Sequence, residues 1–354
     1  MAPPPKQLPC ELEEEILVRL PLRSLVRLRT VCQRWNALVE NHFSRCRPGF
    51  LFLGSPKNYS IDIINPNSID PTIQLHELPY SDMPYPELHY RRTTIKACDE
   101  LLLCNDDGYG RVLSALWNPW LGQFKQIKNG VEKFHYIGLG YEVTGRNNKV
   151  YKILGYFDDA VPGREAYRRV AIYECASHVF KHIDLPISKW LMSGARRNVS
   201  LNGNLYWVSN KYIRSFDFAV DTFQPFCLLP CHKEKRRDEL LLQVFKEDRF
   251  SLLKQSYVTR KIDIWVTNKI GKKEVVWTKL MTLPTTNIPR LFEQHYGTSY
   301  FVYDKTLLVC CCENSTSLPC IYIVREDLCK QIYIDSGIFR CCHCVYTPGL
   351  IQVP

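Results

Sequence analysis

Cys341-Cys342-His343-Cys344 is the densest run of metal-ligand side chains in this chain. Three thiolates and an imidazole could hold zinc. Structural zinc takes its cysteines from C-x2-4-C pairs, however, and adjacent residues on a strand point to opposite faces. The run reads as a buried strand, with no metal and no cofactor expected. Asp106-Asp107, Asp158-Asp159, Asp217 and Asp221 could supply acid–base chemistry or bind calcium. They stand beside Gly108, Gly110 and similar turn formers, where Asx turns account for them. Gly138-Leu139-Gly140 is too sparse for a dinucleotide loop. Nine histidines include no H-E-x-x-H, and no Ser, His and Asp set has nucleophile-elbow spacing. These residues predict no reaction centre and no enzyme.

The elements that carry them are of two kinds. Residues 8–39 repeat their apolar positions at helical spacing: Leu12, Ile16, Leu17 and Leu20, then Leu25, Leu28, Val31, Cys32, Trp35, Leu38 and Val39. Pro9 suits a helix start, Glu11 and Glu13–Glu15 suit the positive end of the helix dipole, and Pro21 stops the first helix. Two or three short helices cannot hide this much apolar surface from one another. Below about 40 residues a chain rarely folds alone without a metal or disulfide, so this unit needs something to lie against.

The register Leu8-Pro9, Leu12, Ile16-Leu17, Leu20-Pro21, Ser24-Leu25, Leu28, Val31-Cys32 and Trp35 closely resembles an F-box, the helical module that docks onto the Skp-type adaptor of a cullin–RING ubiquitin ligase. The resemblance covers roughly residues 6–42. It implies adaptor contacts at Leu8, Pro9, Leu20, Pro21, Leu22, Leu25, Val31 and Trp35. Leu12, Ile16, Leu17 and Leu28 are expected to hold the helices together.

After residue 48 the periodicity falls to two, in short β-branched and aromatic runs cut by turn residues. The runs repeat. An aliphatic strand, a strand ending in a bulky anchor, and a hairpin to another bulky residue recur as Trp117/Phe124, Tyr173/Phe180, Phe216/Phe223 and Tyr322/Cys329, each pair seven residues apart. Trp265/Trp277 stretches the plan, and residues 50–75 form a worn first copy. The first anchors are separated by 56, 43, 49 and 57 residues, and repeats of about 40–50 residues with four strands are how propeller blades look in sequence. Trp117, Trp207, Trp265 and Trp277 then read as blade anchors rather than ligand platforms. A ring must close to protect its end blades, and the terminal VYTPGLIQVP is expected to pair with an early strand. The fold class expected is a small all-α N-terminal domain of three short helices (1–45) followed by a large all-β, propeller-like domain of about six irregular repeats (46–354).

Trp117-Asn118-Pro119, 138–154, Val199–Val208, Ser215–Phe218, 241–253 and Ile262–Asn268 together resemble the F-box-associated domain of plant F-box proteins, which is similar to kelch-type repeats and recognises targets. The two resemblances imply a substrate receptor that joins a Skp-type adaptor, and through it cullin and RING subunits, to an unidentified target protein. The alternative is an F-box protein acting as a non-degradative scaffold. Residues 76–92 and 229–240 are the most unusual insertions and the candidate target-binding loops.

Composition agrees with that class. The net charge of +10 is spread along the chain apart from the run from Lys233 to Arg237, which reads as a solvated loop before a nuclear-import signal. No nucleic-acid partner is expected. The N-terminal MAPPPKQ lacks a secretory apolar run and the longest apolar stretches are too short for a bilayer, so the chain is expected in the cytoplasm and/or nucleus, without a membrane partner. Sixteen scattered cysteines are expected reduced, as small buried hydrophobes, and the sequons at Asn58, Asn198 and Asn314 carry no meaning in such a chain.

Overall fold

The computed structural model describes residues 9–354 apart from 21, 44–45, 56, 79–92, 107–112, 128–133, 146–147, 160–166, 184–193, 272–273, 285–286, 292–296, 313–317 and 336. Three helices come first: α1 (Cys10–Val18), α2 (Leu22–Leu28) and α3 (Gln33–Phe43). Pro9 is the extended N-cap of α1, and its carbonyl accepts the N–H groups of Leu12 (3.1 Å) and Glu13 (3.2 Å). Glu11 and Glu13 occupy the first turn, where the helix dipole favours carboxylates. Among the described residues, Leu17, Leu25, Val39 and Phe43 are the buried side chains of this module.

Six four-stranded antiparallel sheets follow. Blade 1 holds β1 (Gly49–Ser55), β2 (Asn58–Ile64) and β3 (Thr72–Leu78), and blade 2 holds β4 (Thr93–Cys98), β5 (Leu101–Asp106), β6 (Leu113–Asn118) and β7 (Gln123–Gln126). Blade 3 is β8 (Phe134–Thr144), β9 (Asn148–Asp159), β10 (Tyr167–Glu174) and β11 (Val179–Ile183). Blade 4 is β12 (Val199–Leu201), β13 (Asn204–Ser209), β14 (Tyr212–Asp217) and β15 (Thr222–Leu228). Blade 5 is β16 (Glu239–Phe245), β17 (Arg249–Gln255), β18 (Ile262–Thr267) and β19 (Trp277–Leu283). Blade 6 is β20 (Ser299–Tyr303), β21 (Thr306–Cys312), β22 (Pro319–Arg325) and β23 (Leu328–Tyr333). The last strand, β24 (Phe339–Tyr346), completes blade 1 by pairing with β1 from Gly49↔Tyr346 to Ser55↔Phe339.

The core is six seams between neighbouring blades, because strand residues alternate between the two faces of each sheet. On β21, Leu307, Val309 and Cys311 join the seam with blade 5, while Leu308, Cys310 and Cys312 join the seam with blade 1. The same alternation divides the C-terminal thiols of β24. Cys341 enters the seam with blade 6, and Cys342 and Cys344 enter the seam with blade 2. The cysteines fill space as small apolar groups, and burial pushes the Cys344 thiol up to about 12.

The expected fold class needs correction in two respects. The helices are not a free-standing small all-α domain: Leu17, Leu25, Val39 and Phe43 belong to the same apolar cluster as Leu51, Leu53, Trp117 and Tyr346 of blades 1 and 2. With helices of 9, 7 and 11 residues, the module is too small to close a core by itself and borrows one from the ring. Nor are the repeats irregular, since all six blades carry four strands.

Three of the seven-residue anchor pairs are directly opposed across a hairpin: Trp117↔Phe124, Tyr173↔Phe180 and Phe216↔Phe223. Each hairpin spans four loop residues. Tyr322 and Cys329 are not opposed, because the two-residue turn at Glu326-Asp327 sets Tyr322 against Gln331 and Cys329 against Val324. Trp265 faces Lys279 and Trp277 faces Thr267, so that pair fails as well. Trp117 and Trp207 are fully buried anchors, while Trp265 and Trp277 are only half-buried.

Ring closure is made by β24, residues 339–346, so of the terminal segment expected to pair, 345–354, only Val345 and Tyr346 do so. Beyond Tyr346 the tail lies across blade 2 and is held by Asn118 of the Trp-Asn-Pro segment. The Asn118 Nδ2 donates to the carbonyls of Gly349 (3.1 Å) and Ile351 (2.8 Å), and its Oδ1 accepts the Trp120 and Leu121 N–H groups. At Gly203, φ is +83° and an added Cβ would meet the Tyr141 carbonyl at 2.4 Å, so the Asn202-Gly203 turn has no room for another residue.

Asn118 is wholly buried, so Asn118→Ala leaves several polar groups without partners. Urea unfolding should show a loss of about 2–4 kcal/mol. A loss below about 0.5 kcal/mol, the range of ordinary surface substitutions, would show that the tail is not held this way.

Candidate docking sites on the helices and through the ring

The helical module buries one side and leaves another apolar. Leu12 and Ile16, one turn apart on α1, are 46% and 51% exposed, and Val31 in the turn after α2 is 59% exposed. Glu13 organises the junction of α1 with α3: its Oε2 accepts the Trp35 indole N–H at 3.3 Å and pairs with the Arg34 guanidinium at 3.1 Å. On the other flank Arg29 Nε donates to Asn36 at 3.0 Å.

Of the residues implied as adaptor contacts, Pro9 and Val31 are exposed and Leu20 and Trp35 are half-buried against the chain's own cluster. Leu25 is buried in the cluster that the helices share with blades 1 and 2. Leu8, Pro21 and the Leu22 side chain lie outside the described residues. The expected packing role fits Leu17 and Leu28, which join the cluster, but Leu12 and Ile16 point to solvent. Helical spacing placed all four on adjoining stripes; it did not tell which stripe the propeller would cover.

The innermost strands β4, β8, β12, β16, β20 and β24 surround an axial channel of about 1880 Å3. Its two mouths differ. Gly49 is opposite Tyr346, the end of β24, so Phe43, Cys46 and Pro48 line the mouth where the inner strands end. Asp99, Glu100 and Lys149 are at that end, with Lys149 and Asp99 paired at 2.5 Å. The inner strands begin at the far mouth, which Arg197, Lys211, Arg214 and Lys233 line around Glu239. Loop 229–238 sits there, on the side away from the helices. Of the other insertion singled out, residues 79–92 lie outside the described residues.

Lys96 and His343 stand on the channel wall, and burial lowers the Lys96 ammonium to about 8. His343 shares a hydrogen bond through Nδ1 with Ser299 Oγ at 2.9 Å, and its Nε2 is buried without a partner. Among the described residues no three His, Cys, Asp or Glu side chains converge as a metal site. No helix described is long and apolar enough to cross a membrane.

Residues 6–47 match the F-box domain, and residues 50–353 match the F-box associated beta propeller domain. The chain belongs to this F-box family. SUPPRESSOR OF NIM1 1 of Arabidopsis thaliana is 49% identical over 98% of this chain and 98% of its own length. A second Arabidopsis F-box protein is 47% identical over 98% of this chain and 97% of its own, and jacalin-related lectin 38 of the same plant is 36% identical over the full chain and 69% of its own. Among solved structures, TolB from Acinetobacter baumannii superposes with a TM-score of 0.43 at 7% identity, over 87% of this chain and 72% of that one. That likeness is too slight to argue from. The F-box protein thus has its F-box at one mouth of a six-bladed ring and a basic mouth at the other.

Burial holds the His343 imidazole at about 4, against 6.5 for the free side chain. The unfolded chain therefore binds the extra proton first, and stability falls as pH drops from about 6.5 toward 4. Between pH 7 and pH 5 the parent should lose about 2 kcal/mol more than His343→Gln in urea unfolding. Equal losses would show that His343 is not buried neutral.

Proposed function

We propose that this F-box protein is the substrate receptor of an SCF-type cullin–RING ubiquitin ligase, with residues 1–45 as the adaptor module and 46–354 as the recognition domain. The observation that carries the reading is the exposure of the apolar residues Pro9, Leu12, Ile16 and Val31 on a module whose other side is already packed on the ring. A partner that covers them completes a core that the chain leaves unfinished, which is where a few buried anchors supply most of the binding energy. Adaptor contacts are assigned to Leu8, Pro9, Leu20, Pro21, Leu22, Val31 and Trp35, with Leu25 kept as a buried residue of the same module and Leu12 and Ile16 added.

The receptor makes no bonds itself. It holds a target near a ubiquitin-conjugating enzyme carried by the cullin and RING subunits, and effective concentration is its contribution to rate. Ubiquitination would then send the target to proteasomal degradation, in the cytoplasm or nucleus, where buried thiols such as Cys310 and Cys344 remain reduced.

Val31→Asp in the full-length chain should abolish capture of a Skp-type adaptor while stability stays within about 0.5 kcal/mol, as for other surface substitutions. Leu8 and Pro9 changed together to alanine should do the same. Trp35→Ala should reduce both, with a stability loss of about 2–3 kcal/mol for a half-buried aromatic side chain. Normal adaptor capture by the Val31→Asp and Leu8/Pro9 variants would refute the assignment. Accumulation of a protein when this chain is removed, with cullin co-purifying, tests the degradative step.

A further inference from the structure

Among the described residues, Glu234, Asp238 and Glu239 at the far mouth are already engaged, whereas several cations there are not. Glu239 is buried and takes the Arg197 guanidinium, with the Lys233 ammonium at 4.0 Å. Glu234 pairs with Lys254 at 2.6 Å. Asp238 folds the loop back on itself: its Oδ2 accepts the N–H groups of Glu234 (2.9 Å) and Lys235 (3.0 Å), and its Oδ1 accepts that of Tyr257 (3.0 Å). Burial opposes the Asp238 charge, but these three backbone donors hold its carboxyl below the ordinary range.

Lys211, Lys235 and Arg236 project into solvent, and among the described residues none has a carboxylate within ion-pair reach. Arg214 lines the channel with its Nε buried and without a partner. Beside it on the same wall the hydroxyl of Ser209, a residue only 4% exposed, also lacks a partner. Surplus cations at the rim and unsatisfied polar groups just inside it describe a surface short of acceptors. Buried donors without partners carry a desolvation cost that an incoming oxygen would remove.

We propose that the far mouth, over blades 4 and 5, docks an acidic peptide segment of the target, its carboxylate or phosphate oxygens meeting Lys211, Arg214, Lys235 and Arg236. This inference deepens the receptor reading and rests on it. The mouth lies away from Phe43 and Pro48, so a segment bound there does not meet whatever covers the helices. A net positive charge around a concave mouth also raises the encounter rate with an oppositely charged chain.

Fluorescence anisotropy on the full-length chain tests it. The probe is a labelled peptide of about twelve residues alternating Glu and Ser, in plain and serine-phosphorylated forms, at roughly 50 mM salt so that screening does not hide the interaction. Both forms should bind, and a Lys-for-Glu counterpart should not. Tighter binding of the phosphorylated form assigns phosphate as the preferred group, and equal binding assigns the carboxylates. Lys211→Glu with Arg236→Glu should weaken binding about ten-fold or more, and Lys305→Glu, in the β20–β21 turn on the helical side, should leave it unchanged. No binding of either acidic peptide, equal affinity in the double variant, or preferential capture of single-stranded RNA would overturn the inference. Adaptor pull-down on the same preparations separates the readings: peptide binding lost with adaptor capture intact condemns this inference alone, and adaptor capture lost condemns the receptor reading.

Discussion

Each blade of this protein is apolar on both faces, and neither face is covered unless the neighbouring blade is in place. That constraint closes the ring and then dictates what is left over. Pairing of β24 with β1 converts two exposed sheet edges into one blade and completes the last two seams, with blades 6 and 2. Sheet edges left open invite unwanted pairing, so the closing strand protects the chain as much as it stabilises it. The tail beyond it is fastened by Asn118, and the helices settle on the same seam between blades 1 and 2.

Two unlike ends result. At one, three helices share the core of the ring and still present Leu12, Ile16 and Val31 to solvent. At the other, the beginnings of the inner strands gather basic side chains around a channel. Propeller symmetry makes such a division natural: inner strands run in the same direction around the axis, so all their starts share one mouth and all their ends the other. The proposed receptor role would need two surfaces that do not compete, and the thickness of the ring lies between these two ends.

Much of this was legible in the sequence, for physical reasons that also mark where reading fails. Alternation at period two and hairpins with a fixed loop length made Trp117/Phe124, Tyr173/Phe180 and Phe216/Phe223 visible as cross-strand pairs. The same counting failed at Tyr322/Cys329, where a shorter turn moves the register by two residues without altering the apolar pattern. The register of Leu8 to Trp35 identified an F-box, yet an amphipathic stripe states only that a face is apolar. Whether Leu12 and Ile16 face inward depends on blades 1 and 2, which the sequence places well beyond the helices. The basic mouth was missed for a related reason: the pair Arg196-Arg197 stands well apart from Lys211 and Arg214, and only the run from Lys233 to Arg237 hinted at them. Convergence of charge there is a product of the ring, not of any one segment.

Hydrogen–deuterium exchange of the full-length chain with and without a Skp-type adaptor tests the division of labour most directly. The account predicts slowed exchange across α1, α2 and α3 on adaptor addition, with the loop 229–238 and strands β12 and β16 at the far mouth unchanged. Unaltered helices, or protection appearing at the far mouth instead, would contradict it.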